Sequence, residues 1–331
     1  MFIILLLFPA LIYCQNYNCS IVTENKDLRA SPNTWTLVQY NVEWLFSDPC
    51  SSCPGICTWN DTVDQYTHIG TIRKVLEDIN PDTVHMCEVQ SCTQLDQVRP
   101  SLDYKSYMIE GNDSYTGQNV GLITKIDPNI NIFRTELRVE YPVVNSSCGY
   151  TGNYGTEGVS KHLITKFVIQ NISIYLIGAH LLSNPTDPES CAKREAQSQV
   201  LQYKIQEFID SGNEVILMGD LNDFDGIYKD VNNNEPTSSV LKMLKGDSGD
   251  STNYTLYTVS SKINQEQRYT EWYDANENCH VDKIEYSMID HILVTKNLLT
   301  KIEFLQYYHF YREGCGTYQS DHYPIVVRFR F

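Results

Sequence analysis

Positive charge is what this sequence has least of. Lysine and arginine number 25 against 41 aspartates and glutamates, a formal net charge of −16 over 331 residues. Capture of a polyanion through overall charge is thereby excluded, because neutralising phosphates takes clustered Lys and Arg. An acidic protein that meets phosphate through a bound metal is not. Also missing, beyond the apolar start, is any run approaching the roughly 20 apolar residues of a membrane-spanning helix. The chain contains no G-x-S-x-G, no G-x-x-x-x-G-K-[ST] and no H-E-x-x-H. Those absences remove serine hydrolases of the nucleophile-elbow type, P-loop nucleotide hydrolases and zinc peptidases of the H-E-x-x-H type. No internal repeat is present, and 42% of the residues are hydrophobic. Solenoid, collagen-like and disordered classes drop out, leaving a globular chain able to bury a sizeable core.

The apolar start, MFIILLLFPALIY, lacks the usual basic flank but has signal-peptide length and is too short to span a bilayer. The expected organisation is a signal peptide over 1–14, an N-terminal extension over 15–34 and a single domain over 35–331. Loss of Cys14 takes the cysteines from 11 to ten, an even number suited to pairing. Sequons at Asn18, Asn60, Asn112, Asn145, Asn171 and Asn253 point the same way, to a secreted glycoprotein or one in a lysosome-like compartment. The terminal RFRF is neither a lipid-anchor signal nor an ER-retention tetrapeptide. Cys50, Cys53 and Cys57 sit in one loop, but a structural zinc site wants four ligands and no second C-x-x-C pair follows. Cys87 and Cys92 are spaced to close a short loop, although spacing alone does not fix a pairing.

Strand-like apolar segments fall at 36–42, 82–89, 120–126, 163–169, 172–181, 214–221, 289–295 and 324–331. Helical spacing appears in TIRKVLEDI, with Ile72, Val75, Leu76 and Ile79 on one face and Asn80-Pro81 as its stop. It recurs over 191–212, with Val200, Leu201, Ile205, Phe208 and Ile209 on one face and Gly212 as its stop. VNNNEPTSS and KGDSGDS read as surface loops around a short helical VLKML. The Tyr-rich 303–311 stretch reads as a strand with one buried face. Strands and helices intermix with several hairpin-like successions, so mixed sheets are expected rather than a purely parallel one.

Polar groups recur at the strand ends: Asn41, Glu88, His180, Asp220 with Asn222, Asp290, and Asp321 with His322. One polar residue at a strand end is ordinary turn chemistry. Six such places, all built from acid/base or metal-ligating side chains, suit an active site assembled from several elements.

With these residues in view, LVQYNVEWL, MCEVQ, GAHLL, LMGDLNDF, SMIDHILV and SDHYPIVV together resemble the ordered motifs of the endonuclease/exonuclease/phosphatase superfamily, of which deoxyribonuclease I is a member. The resemblance runs from about Trp35 to Phe331. It implies an α/β (α+β) fold, a four-layer αββα sandwich of two packed mixed β-sheets flanked by helices. It implies phosphodiester hydrolysis on nucleic acid as substrate, with a sphingomyelinase-like or inositol/lipid phosphate hydrolase as the alternative. Glu88 would bind Mg²⁺ or Mn²⁺, with Asn41 and Asp321 close to the metal shell, and a structural Ca²⁺ is compatible with the same resemblance. Among the catalytic residues, His322 would do acid/base work with Asp290 fixing its tautomer. Asp220 would orient or deprotonate water, Asn222 would hold a phosphoryl oxygen, and His180 would donate to phosphate or protonate the leaving group.

Several neighbouring residues fall outside this set. His291 follows Asp290 on an alternating strand and should face the other way. Asp223 and Asp225 read as turn and solvent-facing acids. Lys161 and Arg194 read as solvated or internally ion-paired. Glu110 lies in the interval where related chains carry an acid behind the residue matching His180, with no local motif to secure it. A non-enzymatic module on the same scaffold is disfavoured by the completeness of the set.

Overall fold

Alternate residues of a strand face opposite ways, and in β1 (Thr34–Leu45) both faces are buried. Leu37 packs into one apolar cluster and Val38 into another. Such a strand must lie in a sheet covered on both sides. The computed structural model describes residues 19–47, 59, 62–113, 115–247, 254–311, 314–317 and 319–331. The expected signal peptide, the loop with Cys50, Cys53 and Cys57, and the sequons at Asn18, Asn60 and Asn253 lie outside the described residues.

After β1 come α1 (Thr62–Ile79), β2 (Thr83–Val89), α2 (Cys92–Val98), β3 (Lys105–Met108) and β4 (Asn119–Thr124). A ribbon of β5 (Val139–Tyr141) and β6 (Gly155–Glu157) precedes a long hairpin, β7 (Lys161–Ile169) and β8 (Ile172–His180). Then follow α3 (Pro188–Asp210), β9 (Glu214–Asp220), α4 (Val240–Leu244) and β10 (Tyr257–Thr258). A second ribbon, β11 (Glu271–Trp272) and β12 (Tyr286–Ser287), leads to β13 (Asp290–Val294), α5 (Lys296–Thr300), β14 (Ile302–Tyr307) and β15 (Ile325–Arg330).

One sheet has the order β14-β15-β1-β2-β4-β3 and the other β10-β13-β9-β8-β7. Among the described residues only the β1–β2 and β8–β9 pairs are parallel, so both sheets are mixed. Trp35, Leu37, Leu122, Phe167, Leu176, Met218 and Phe329 fill the layer between the sheets. Val38, Val84 and Met86 pack against Ile72, Leu76 and Leu95 of α1 and α2. Ile177 and Leu217 pack against Val200, Leu201 and Ile205 of α3, with Leu241 and Leu244 of α4 alongside. The result is the expected four layers.

The helix ends follow local chemistry. Asp187 caps α3 by accepting from the Ser190 N–H, with Pro188 in the first turn where its missing N–H is harmless. Gly212, at φ +76°, closes it. Helix α1 begins nine residues before the expected Thr71, at Thr62. Its first half buries Gln65 and His68, and these polar side chains hide the apolar period. The β14 stretch is an edge strand with Phe304 41% exposed and Tyr307 buried, so its buried face is only partial.

Three disulfides tie the described residues, Cys19–Cys92, Cys148–Cys191 and Cys279–Cys315. The Cys87–Cys92 loop is not formed. Cys87 points into the layer between the sheets, whereas Cys92 packs on the helix side, where Cys19 meets it. Cys87 is a free, buried thiol, which corrects the expectation that every cysteine after Cys14 is paired.

Candidate active site

Strand register brings the polar ends together. Across the second sheet Lys161 pairs with His180, His180 with Asp220, and Asp220 with Asp290. The first sheet contributes Asn41 beside Cys87 and, one residue on, Glu88. The register shifts between Cys87 and Val89, and Glu88 has φ +65°. This bulge turns Glu88 to the strand-end side, as bulges near active sites do.

At the centre, His322 Nδ1 lies 2.6 Å from Asp290 Oδ2, and its Nε2 lies 4.0 Å from Asp220 Oδ2. His180 Nε2 approaches the same Asp220 oxygen at 3.6 Å. Asn41 Nδ2 donates to Asp220 Oδ2 at 3.0 Å and to Glu88 Oε1 at 3.4 Å, linking the two sheets. The Asn222 N–H donates to Asp220 Oδ1 at 3.0 Å, while its side-chain amide donates to the Leu181 carbonyl at 3.1 Å. All eight expected site residues are therefore gathered at one end of the two sheets.

Burial alone would lower the His322 imidazole, but Asp290, Asp321 and Asp220 overcome it and hold His322 well above its usual value. Burial, with Lys161 and His322 nearby, drives His180 well below. The two histidines are thus pushed in opposite directions, His322 by its acids and His180 by burial. Burial and the neighbouring Asp290 push Asp220 well above the usual carboxylate range.

Two acids outside the expected set join the site. Glu43, two residues after Asn41, accepts the Asp321 N–H at 3.1 Å through Oε2. Burial, Asp321 and Glu88 push it well up. Burial also raises Asp321, against the pull of His322 and with the push of Glu88. Glu271 bridges to His322 through the backbone and is raised by burial. Glu43 had no signal beyond its place in YNVEWL, since at φ +45° its direction does not follow strand alternation. Glu271 had none beyond its position in RYTEWY.

The ligating atoms of Asp220, Asp290 and His322 all lie within 4.8 Å of one another; beside them Glu43, Glu88 and Asp321 are the acids whose chemistry suits a hard divalent cation. They offer oxygen donors, two of them raised by burial and by a neighbouring carboxylate, and among the described residues no Lys or Arg forms an ion pair with any of the three. Such a set is what Mg²⁺ or Mn²⁺ takes.

The neighbours sort differently. His291 turns away, with Nε2 2.8 Å from the Asp223 carbonyl. Asp223 and Asp225 are buried rather than solvent-facing. Asp223 gathers Thr237 and Ser238, and Asp225 pairs with Lys245 at 3.0 Å, because tertiary partners replace the water a loop acid normally has. Lys161 is internally paired, with Asp113 at 3.7 Å. Arg194 is buried without a carboxylate partner among the described residues and instead donates to the Leu182 and Ser183 carbonyls, fixing the chain just after His180. Glu110 is exposed, so it stands behind no histidine, and His180 Nδ1 is buried without a hydrogen-bond partner among the described residues.

No known sequence-family model matches the chain, and no curated protein does either. Solved structures do. A humanised D. rerio TDP2 matches with a TM-score of 0.55 at 17% identity, over 90% of this chain and 100% of that one. An AP endonuclease from Archaeoglobus fulgidus matches at 0.56 and 13%, over 89% and 99%. An endonuclease/exonuclease/phosphatase from Bacteroides vulgatus matches at 0.56 and 15%, over 90% and 99%. With two mixed sheets between helical layers and this likeness running over most of its length, the chain has the fold of the endonuclease/exonuclease/phosphatase superfamily.

Proposed function

We propose that this protein is a divalent-metal-dependent phosphodiesterase that hydrolyses nucleic acid. One observation carries the reading: His322, anchored on Asp290 at 2.6 Å, lies beside Asp220, which Asn41 joins to Glu88. Glu88, Glu43 and Asp321 would hold Mg²⁺ or Mn²⁺, which supplies charge neutralisation at the phosphoryl oxygens. Asn41 holds Glu88 and Asp220 at a fixed separation through its amide. Asp220, poised between the two histidines, orients the attacking water and takes up its proton. His322 donates its Nε2 proton to the oxygen that leaves as the P–O bond breaks, the proton on Asp220 then returning to His322, and His180 donates a hydrogen bond to the phosphate. Asn222 contributes its remaining amide hydrogen to a phosphoryl oxygen.

Nucleic acid is favoured as the substrate by what two neighbours of the same fold hold. The D. rerio TDP2 structure contains a single-strand DNA product, and the Neisseria 3′ phosphatase NExo a product DNA hairpin. Passage through the secretory pathway is supported by the three disulfides and by exposed sequon asparagines at 112, 145 and 171. Among the described residues no helix is long and apolar enough to cross a membrane.

The test is a side-by-side assay of bis(p-nitrophenyl) phosphate, plasmid DNA, RNA and sphingomyelin with Mg²⁺, repeated with EDTA. Cleavage of the first substrate and of nucleic acid, stopped by EDTA and by His322→Ala, is expected. Lipid turnover with DNA and RNA intact would overturn the nucleic-acid assignment. Undiminished activity in EDTA would overturn the metal.

A further inference from the structure

Beneath the catalytic cluster a line of polar side chains crosses the largely apolar layer between the sheets. Gln39 of β1 and His85 of β2 are fully buried register partners on adjacent strands. Gln39 Nε2 donates to Asp290 Oδ1 at 3.1 Å, and Gln39 Oε1 lies 2.6 Å from His85 Nδ1. A carboxamide oxygen only accepts, so His85 carries its proton on Nδ1. Burial lowers its pKa to about 3, leaving a neutral ring. Its Nε2 is buried without a partner among the described residues and lies against Gly178 of β8, where a β-carbon would fall 2.2 Å from that nitrogen. Residue 178 thus has to lack a side chain for His85 to sit there.

The logic of the arrangement is directional. A buried glutamine can present either end of its amide, and the wrong end would set an oxygen against the Asp290 carboxylate. The His85 N–H removes that choice. With the amide fixed, one Asp290 oxygen is occupied and the other is aimed at His322. An apolar pair would fill the same space without the desolvation of buried polar groups, so packing alone does not account for the line.

We propose that Gln39 and His85 are positioning residues for the hydrolysis: His85 sets the facing of the Gln39 amide, Gln39 sets the Asp290 carboxylate, and Asp290 thereby aims His322. This rests on the phosphodiesterase reading. Partners standing behind a catalytic group typically matter by about 10–100-fold.

The experiment compares Gln39→Met, His85→Leu and His85→Asn in the full chain. Turnover of bis(p-nitrophenyl) phosphate is measured together with imidazole NMR of the resting proteins. Gln39→Met is expected to lower kcat about 10–100-fold with KM unchanged. His85→Leu should lose about 10-fold, and His85→Asn, which keeps an N–H donor near the old Nδ1, should recover most of it. In the spectra, the low-field His322 Nδ1 proton should persist in wild type and His85→Asn and disappear in Gln39→Met. A folded Gln39→Met with kcat within about twofold of wild type, or His85→Leu and His85→Asn behaving alike, would overturn the proposal. If Gln39→Met does not fold, the two His85 variants decide. If wild type cleaves no phosphodiester, the parent reading fails and the spectra still decide the relay.

Discussion

Replacing Asp290 by asparagine probes the site most sharply, because the outcome follows from hydrogen-bond direction. Asp290 accepts from His322 Nδ1 at 2.6 Å and from Gln39 Nε2 at 3.1 Å, and its own N–H is held by Thr270 Oγ1 at 3.0 Å. An asparagine there has one acceptor and one donor. His85 fixes the Gln39 NH₂ toward position 290, so the new oxygen must face Gln39 and the new NH₂ must face His322. The imidazole then has to offer a lone pair at Nδ1 and carry its proton on Nε2. It also loses the carboxylate that sustains its positive charge. Comparable loss of an imidazole anchor lowers kcat roughly 10³–10⁴-fold, about 4–5 kcal/mol of barrier. Stability should move little, within about 1 kcal/mol, because one of the acids that repels Asp220 is gone. The assay is kcat on bis(p-nitrophenyl) phosphate with Mg²⁺, paired with a thermal melt. A folded Asp290→Asn enzyme retaining a tenth or more of wild-type kcat would refute the tautomer argument.

Three further outcomes are expected. Mg²⁺ should raise the melting temperature by mass action, and Glu88→Gln should abolish that shift; an equal shift in the variant would move the metal elsewhere. His162 receives the Thr135 N–H on Nε2 at 2.9 Å, and burial lowers its pKa to about 4. The unfolded ring titrates near 6.5, so its stabilising share is present above that value and fades as pH falls toward 4. The unfolding free-energy gap between wild type and His162→Gln should therefore shrink by about 2 kcal/mol between about pH 7 and pH 5; a constant gap in urea titrations would contradict this. Lys245→Met leaves Asp225 buried and unpaired, and should destabilise by about 3–5 kcal/mol. Adding Asp225→Asn should recover much of it, and failure to recover would argue against the pair.

The strands were legible because β1, β2, β8 and β9 are buried on both faces and read as nearly continuous apolar runs. The site was legible because each of those runs ends in a side chain of specific chemistry. What stayed hidden depends on backbone or partners that no local pattern records. Glu43 and Trp44 have φ of +45° and +52°, so strand alternation no longer says where Glu43 points. Glu271 sits in a two-residue strand, too short to show a period. Asp223 and Asp225 looked solvent-facing because Thr237, Ser238 and Lys245, which replace water around them, are distant in sequence. Cys92 joined Cys19 rather than Cys87 because the sheet stands between neighbours in the chain.

The bulge at Glu88 sets two rankings of side chains against each other. At φ +65° a glycine would relieve roughly 1 kcal/mol of backbone strain, whereas the proposed chemistry needs a carboxylate. A library randomised at position 88 and selected for heat resistance should drift toward glycine. The same library selected for turnover should return glutamate. The disagreement between the two selections would mark the residue as functional with no assumption about the reaction it serves.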